Sequence, residues 1–461
     1  MTAYRTGKQP VNITARIESP RQRYFPIFPL AFARQSGWKA RRRWRSPVRL
    51  RTGKRDVVEM ADMAAVGRAS MKDAAGPRPR AAAVSPGGGA YAPLATVAVS
   101  QWCALAERAI EPNGYYLSGW ELAVNAFAHG RTGVSALVAP GDAMPDGTPR
   151  LIGLAPVISM WRAYKIPLPA LASAEPYGTL CTPLLDRGMA LDAAAKLLRA
   201  ARKAGAHALI LRDVPLDGAA MQVFNEVLRR EDLRPRVLKS GLRAALNATR
   251  DAEELLHDAL GAKKLKELRR QRHRLAEHGA VRFDVARTRE QVAAALETFL
   301  QLEASGWKGK RGTALMQDEG DAAFVRRAAV ALAETGQCEI VSLRAGDTAV
   351  AAAIVLRHRD RAFYFKLGID ARFARFSPGV QLTLELTRHL CADPAIATAD
   401  STASADHPMI NPIWRGRFAI GDVLIPLRKN DPVVSLIHAA LSLRLGLREF
   451  ARRTVHAIRG R

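Results

Sequence analysis

The sequence predicts an α/β protein in which helices flank a mixed β-sheet. Short apolar runs of strand length alternate with longer segments in which apolar residues recur every three or four positions. Three strand-length runs follow one another closely at 338–343, 349–357 and 361–367, with short polar turns between them. The composition is that of a globular protein, with 48% hydrophobic and 25% charged residues, and 461 residues suffice for two or three domains.

The first folded unit is expected over residues 91–244 and the second over 245–430. Helices are predicted in the first unit at 102–110, 120–129, 191–204 and 218–229, with strands at 135–139, 151–159 and 208–212. In the second unit Asp251 is placed to cap a helix. Helices follow at 260–278, which is strongly basic, and at 288–305, 321–335 and 377–390. Two further strands are predicted at 396–400 and 423–427.

The two ends of the chain are predicted to be basic. Residues 1–90 hold 19 Lys and Arg against 5 Asp and Glu, so they supply +14 of the net charge of +27. Their Ala/Pro/Gly-rich end cannot bury enough apolar surface to offset the entropy of ordering, which predicts a disordered basic leader. Residues 431–461 predict a basic amphipathic helical tail, with apolar positions 436, 437, 441, 445 and 450 on one side. It either packs on its own domain or a partner, or lies on a membrane surface.

The chain lacks several familiar signatures. Its four cysteines form no C-x-x-C pair, so no zinc module or disulfide framework is expected, and no metal. No run reaches the roughly 18–20 apolar residues of a membrane span. The glycine-rich segment 306–313 does not have the spacing of a phosphate-binding P-loop. We expect a cytoplasmic protein that meets nucleic acid only through its basic leader.

The most informative segment is 363–382, in which a strand runs through a loop into a helix. Ser377 stands where a helix N-cap should be, with a hydroxyl that accepts a bond from an early amide. Pro378 suits the first helical position, and Gly379 lets a ligand approach the backbone. The amides of Val380 and Gln381 then complete a bare helix N-terminus, which is a place to hold a pyrophosphate. The same triplet also begins ordinary helices, so spacing alone leaves both interpretations open.

Two arginines, Arg372 and Arg375, lie just before this helix and are candidates to meet phosphate charge. The basic helix at 260–278 is either a solvated face or a rim that attracts an anionic ligand.

Three segments resemble a known family: the basic helix at 264–275, the stretch 302–315, and the strand-loop-helix at 364–379 with its Ser-Pro-Gly. In this order they resemble the CelD/BioF2-like acetyltransferase domain of the GNAT superfamily, which is similar to the FemAB aminoacyltransferases. The resemblance implies a GNAT fold, a mixed sheet flanked by helices, with two tandem GNAT-like halves of which the first is degenerate. It implies acetyl-CoA or another acyl-CoA as co-substrate, held between two splayed strands with its pyrophosphate on the amides of Gly379 to Gln381.

The implied chemistry is attack of an acceptor amine or hydroxyl on a thioester, which requires positioning of the reactants and a proton acceptor. Glu303, Tyr364 and Asp400 are the candidate catalytic residues, and Asp406 and His407 are weaker candidates. The loop after 305 is expected to face the substrate. It contains Trp307 and Lys308.

We therefore expect an N- or O-acyltransferase that acts on a small molecule or a glycan, linked to exopolysaccharide or cell-envelope synthesis. Peripheral membrane contact through the C-terminal helix is expected in addition. Two alternatives remain open. One is a Fem-type aminoacyltransferase that uses aminoacyl-tRNA, and the other is a non-catalytic protein that binds nucleic acid or an anionic surface.

Overall fold

The computed structural model describes residues 90–143, 147, 149–306, 309 and 311–459. The predicted leader lies outside these residues except for Ala90, as do Trp307 and Lys308, the two predicted substrate-binding residues. No helix in the described part of the chain is long and apolar enough to cross a membrane.

Thirteen strands form one continuous sheet. They are β1 (Ala90–Pro93), β2 (Ser135–Ala143), β3 (Pro149–Ser159), β4 (Ala170–Ser173), β5 (Leu184–Leu185), β6 (Ala208–Pro215), β7 (Arg236–Asn247), β8 (Val281–Ala286), β9 (Cys338–Ala345), β10 (Thr348–His358), β11 (Arg361–Ile369), β12 (Thr398–Asp400) and β13 (Gly416–Pro426). The order across the sheet is β1-β2-β3-β4-β6-β13-β7-β12-β11-β10-β9-β8, and β5 pairs with β3. Only β4/β6 and β11/β12 pair in parallel.

The α-helices of the described residues cover both faces of this sheet. They are α1 (Val99–Arg108), α2 (Ser118–Phe127), α3 (Met160–Tyr164), α4 (Ala190–Lys203), α5 (Ala219–Arg230), α6 (Ala252–Ala276), α7 (Arg289–Ser305), α8 (Glu319–Ala333), α9 (Pro378–Cys391) and α10 (Pro432–Arg459). Local sequence explains several helix starts. The Asp251 side chain accepts a bond from the Glu254 amide at the start of α6, as predicted, and Thr288 and Gln291 form a capping box before α7.

The two parts of the sheet repeat one pattern. In each, an antiparallel meander leads to a strand, a helix and a second strand that returns parallel to the first: β4–α4–β6 and β11–α9–β12. The last strands are exchanged, because β13 pairs with β6 and β7 pairs with β12. This exchange joins the repeats into one sheet, which confirms the predicted mixed sheet flanked by helices.

Alternation along the strands sends successive side chains to opposite faces. On one face, which we call face A, α1, α2, α7 and α8 share a single apolar core, and α3 and α10 cover a smaller one. On the opposite face, face B, α4 and α5 cover the first repeat, and α6 and α9 cover the second. The candidate site residues lie on β11, β12 and α9, and on α7 across the sheet.

The sequence-based expectation did not include strands β1, β4, β5, β7 and β8, and it placed the start of β13 too late. Strand β7 was not predicted, because Arg236, Lys239 and Arg243 interrupt its apolar pattern and most of its first seven positions are exposed. Strand β13 begins at Gly416, earlier than predicted, and extends alongside β7. The predicted boundary at 244/245 falls inside β7, so the division into 91–244 and 245–430 remains a prediction.

Candidate active site

The parallel strands β11 and β12 diverge. They pair only where Arg361–Phe363 faces Thr398–Asp400, after which β12 ends and β11 continues to Ile369. The hydroxyl of Thr402 donates to the Tyr364 carbonyl at 2.6 Å and closes the near end of the gap. Beyond that point, no strand of the sheet pairs with β11 on its β12 side. An extended ligand can therefore add to this edge through backbone hydrogen bonds.

A β-bulge lies at the point of divergence. Val355 of β10 faces Tyr364, but the preceding Ile354 faces Lys366, so Phe365 is an extra residue on β11. The bulge turns both Phe365 and Lys366 toward face A, where the Phe365 ring lies 4.9 Å from the Trp120 ring. Bulges re-aim side chains and leave the backbone groups of the extra residue outside the regular ladder.

Helix α9 begins at Pro378, directly after the open edge, but its N-terminus differs in two details from the prediction. Ser377 holds the N-cap position with a left-handed backbone (φ 53°), and its hydroxyl makes no capping bond. An N-cap side chain normally reaches the first-turn amides from an extended backbone, which Ser377 does not have. The amide of Gln381 donates to the Ser377 carbonyl at 3.0 Å, so it is not available to a ligand. Gly379 and Val380 carry first-turn amides, which have no carbonyl acceptor within the helix.

A buried hydrogen-bond chain ties this first turn to β11. The Thr383 hydroxyl donates to the Gly379 carbonyl at 2.8 Å. Because that hydroxyl has one proton, the Tyr364 phenol, 3.2 Å away, must donate to Thr383. Burial raises the pKa of Tyr364 to about 12, so the phenol keeps its proton at neutral pH. Tyr364 therefore anchors the N-terminal turn of α9.

Three further contacts orient α9. The Gln381 side chain donates to the Leu268 carbonyl of α6 at 2.8 Å, and the Trp414 indole donates to Thr387 at 2.9 Å. A Cβ on Gly379 would lie 2.9 Å from a methyl of Leu367. The glycine is therefore needed for close packing of α9 on β11, whatever ligand its backbone meets.

Positive charge surrounds this N-terminus. Arg375 is exposed and stacks on the Phe376 ring at 4.6 Å. Arg372 is exposed but pairs with the Asp370 carboxylate, which also accepts from its backbone amide at 2.9 Å. Helix α6, which packs against α9, exposes basic side chains at Lys263, Lys264, Lys266, Arg269, Arg270 and Arg274.

Asp370 gives this region a testable pH dependence. The hydrogen bond from Arg372 holds the pKa of Asp370 below its usual value. A carboxyl with a lowered folded-state pKa contributes stability above its unfolded pKa of about 3.9 and loses it as pH falls through the folded value. We expect Asp370→Asn to lower the melting temperature at pH 7, with a gap to the parent that narrows below pH 4. Melts from pH 3 to 7 measure this, with Asp347→Asn in an exposed turn as control. A gap that is constant with pH would contradict the assignment.

Asp400 ends β12 and is only 2% exposed. Its carboxylate pairs with the buried Arg243 of β7 at 3.3 Å and accepts from the Thr402 amide at 2.7 Å. The Tyr115 hydroxyl and the Arg243 Nε are buried nearby. Both contacts of Asp400 hold the segment that closes the near end of the β11–β12 gap.

Glu303 of α7 is buried on face A. It accepts from the Leu315 amide at 3.0 Å and pairs with Lys366 of β11 at 3.3 Å. The Lys366 ammonium lies 5.4 Å from the Tyr177 ring, which comes from the first repeat. Glu303 therefore lies beside the bulge, on the face opposite α9.

A polar cluster extends from this pair into the first repeat. Arg131 lies 4.3 Å from the Tyr177 ring and pairs with Glu175 at 2.7 Å, and the Tyr177 hydroxyl donates to Asp321. We define the face A cluster as these groups: Arg131, Glu175, Tyr177, Glu303, Asp321 and Lys366. Both repeats contribute to it, so it is a candidate surface for an acceptor.

Three residues of the site were not predicted from the sequence: Arg243, Lys366 and Tyr177. Lys366 left a signal, since it is a lysine within an apolar strand, whereas Arg243 lies on a strand that was not predicted. The weaker candidates lie in the loop after β12, where Asp406 is exposed and His407 Nδ1 accepts from the Met409 amide at 3.3 Å. No group of three or more His, Cys, Asp or Glu side chains suited to a metal occurs among the described residues.

Comparison with known proteins identifies the second repeat. Residues 262–407 match the family model described as "Acetyltransferase (GNAT) domain". No curated protein sequence matches the chain.

Several solved structures match the chain at low sequence identity. FemX is 13% identical, with a TM-score of 0.48 over 74% of this chain and 98% of its own. A C-terminal domain of a putative lysylphosphatidylglycerol synthetase from Agrobacterium fabrum is 14% identical, with a TM-score of 0.45 over 74% and 96% of the two chains. A tandem GNAT protein from the clavulanic acid biosynthesis pathway is 14% identical, with a TM-score of 0.36 over 74% and 100%.

The matched residues contain α9, the β-bulge and both diverging strands, which are the elements of the candidate site. The predicted GNAT superfamily is thereby confirmed, whereas the CelD/BioF2-like subgroup stays a prediction. The chain carries a GNAT acetyltransferase domain at residues 262–407 and is an acyltransferase.

Proposed function

We propose that the protein transfers an acyl group from acetyl-CoA or another acyl-CoA to an amine or hydroxyl of a small molecule or glycan. The observation that carries this proposal is the N-terminal turn of α9, which lies beside the open edge of β11 and whose Gly379 and Val380 amides have no acceptor within the helix. The amides of Gly379 and Val380 and the positive end of the helix dipole suit a pyrophosphate. Arg375 and the basic face of α6 add charge that attracts the further phosphate of the donor.

The open edge of β11 suits the donor's amide-containing arm. Those of its backbone groups beyond Tyr364 that do not bond β10 face the gap, and an amide chain laid along them gains hydrogen bonds as an added strand does. This places the thioester near the bulge at Phe365. The backbone amide of a bulged residue is suited to stabilise the oxyanion that forms as the carbonyl is attacked.

The acceptor is proposed to enter from face A, where Glu303 lies. A bond forms between the acceptor nitrogen or oxygen and the acyl carbon, and the carbon–sulfur bond breaks as the thiolate leaves. Glu303 is proposed to take the acceptor's proton, and Lys366 pairs with its carboxylate. Tyr364 and Asp400 are assigned to positioning, because Tyr364 donates to Thr383 in the first turn of α9 and Asp400 pairs with the buried Arg243 and holds the Thr402 segment.

The cellular role is proposed to lie in exopolysaccharide or cell-envelope synthesis, and the reaction to take place in the cytoplasm. A second candidate donor is aminoacyl-tRNA, as in the Fem branch. The long run of exposed lysines and arginines on α6 favours it, since such a surface suits a nucleic-acid backbone.

Calorimetric titration of the full chain distinguishes these donors. We expect acetyl-CoA, or a longer acyl-CoA, to bind at one site with a micromolar dissociation constant. The Glu303→Gln variant should bind the donor equally well, but its rate of acyl transfer should be at least tenfold lower. Glu297→Gln, an exposed carboxyl on the same helix, is the control. Tight binding of aminoacyl-tRNA with no acyl-CoA binding would replace the proposed donor, and binding of neither would overturn the proposal.

A further inference from the structure

The C-terminal helix α10 has two apolar faces. Val434, Ile437 and Leu441 are buried in the small face A core that includes Met160 and Leu424. This is the face that docks the helix on the sheet, and it needs no further partner.

The second apolar face is exposed to solvent. Leu436, Leu443, Leu447 and Phe450 are 56%, 66%, 61% and 71% exposed. At about 100° of rotation per residue they fall on one stripe, on the opposite side of the helix from the buried face. Large apolar side chains are common singly on a surface, but a contiguous stripe of this kind marks an interaction site.

A basic cavity opens beside this stripe. It has a volume of about 500 Å³ and lies between α10 and the end of α3. Lys165, Arg444 and Arg448 supply its positive charge, Ile166, Leu443 and Leu447 supply apolar walls, and no carboxylate lines it. The Arg444 Nε is buried without a hydrogen-bond partner among the described residues. The indole of Trp161 is 56% exposed, and the ammonium of Lys165, a lining residue, lies 5.9 Å from its ring.

We propose that this surface docks the protein on an anionic phospholipid bilayer. A lipid phosphate enters the cavity and meets Arg444, Arg448 and Lys165, while Leu443, Leu447 and Phe450 enter the boundary between headgroups and acyl chains. Apolar side chains beside cations, with an exposed aromatic ring next to one of those cations, are what an interfacial surface presents to such a membrane.

Charge decides between this occupant and two others. A second copy of the chain, docked by a two-fold axis on the same stripe, would bring the three cations of one copy against those of the other. A nucleic acid would be met by the cations but would leave the leucine stripe in water. Only a surface that is both anionic and apolar complements the whole patch.

Cosedimentation of the full chain with vesicles tests the proposal. Vesicles of phosphatidylcholine with 30% phosphatidylglycerol are compared with pure phosphatidylcholine. We expect binding to the anionic vesicles that weakens with salt and persists in 20 mM inorganic phosphate, and at least tenfold weaker binding to the neutral ones. Loss of binding in free phosphate would assign the cavity to the soluble ion and overturn membrane docking.

Two double variants test whether the apolar stripe and the basic cavity themselves contribute to binding. Leu443→Gln with Leu447→Gln, and Arg444→Gln with Arg448→Gln, should each weaken binding to anionic vesicles at least tenfold. Val99→Gln, which alters an exposed valine on α1, should leave it unchanged, and circular dichroism verifies folding of each variant. Binding that is unchanged in both double variants would assign any vesicle affinity to another basic segment and contradict the proposal. A dimer of the parent protein in sedimentation that the leucine variant abolishes would also contradict the proposal. So would an arginine variant that loses binding to duplex DNA and to vesicles equally.

Discussion

Val380→Asp is expected to raise the dissociation constant for acyl-CoA by about 10- to 100-fold, or about 1.4–2.8 kcal/mol. Helix side chains tilt toward the N-terminus, so the new carboxylate lies near the free amides of the first turn. There it repels the pyrophosphate and competes for the same donors. A carboxylate in the first turn also stabilises the helix dipole, so the loss of binding should not come from loss of the helix.

Val380→Thr is the matched control, because it alters the same half-buried side chain without adding charge. Its dissociation constant should stay within threefold of the parent, and thermal melts verify that both variants fold. Equal affinity of the aspartate variant and the parent would show that the pyrophosphate does not lie at this turn.

Asp400→Asn is expected to lower the free energy of unfolding by about 3–5 kcal/mol, the range found when one partner of a buried ion pair is removed. The substitution leaves the Arg243 guanidinium, itself 3% exposed, without its counter-charge. Urea unfolding of the full chain measures the loss.

Two comparisons make this result specific. Asp406→Asn changes an exposed carboxyl in the loop that follows, and it should cost less than about 0.5 kcal/mol. Arg243→Leu introduced together with Asp400→Asn should recover much of the loss, because no uncompensated charge remains. If the two asparagine variants were equally stable, the pair would not hold the end of β12.

Local sequence accounted for most helices and for the second meander. Asp251 was predicted to cap a helix, a helix was predicted from residue 288, and apolar runs of strand length predicted β9, β10 and β11. Strand β7 was not predicted, because its position in the middle of the sheet results from the exchange with β13. That exchange is a tertiary arrangement to which its charged, half-exposed sequence gives no local clue.

The candidate site was predictable only in part, because several of its contacts also depend on tertiary packing. The Ser-Pro-Gly triplet located the start of α9, but not the left-handed conformation of Ser377 or the engaged amide of Gln381. The Arg243–Asp400 pair joins residues 157 positions apart, which no local pattern reveals. The polar chain from Tyr364 through Thr383 to Gly379 depends on how α9 packs on β11, and thus on the folded sheet.

The location of the donor is tested most directly by hydrogen–deuterium exchange of the full chain with and without acyl-CoA. We expect slower exchange in peptides that contain Gly379 and Val380 and in those that cover 364–369, with α4 and α5 unchanged. Slower exchange in the first repeat alone, with the first turn of α9 unaffected, would contradict a donor site at the β11–α9 junction.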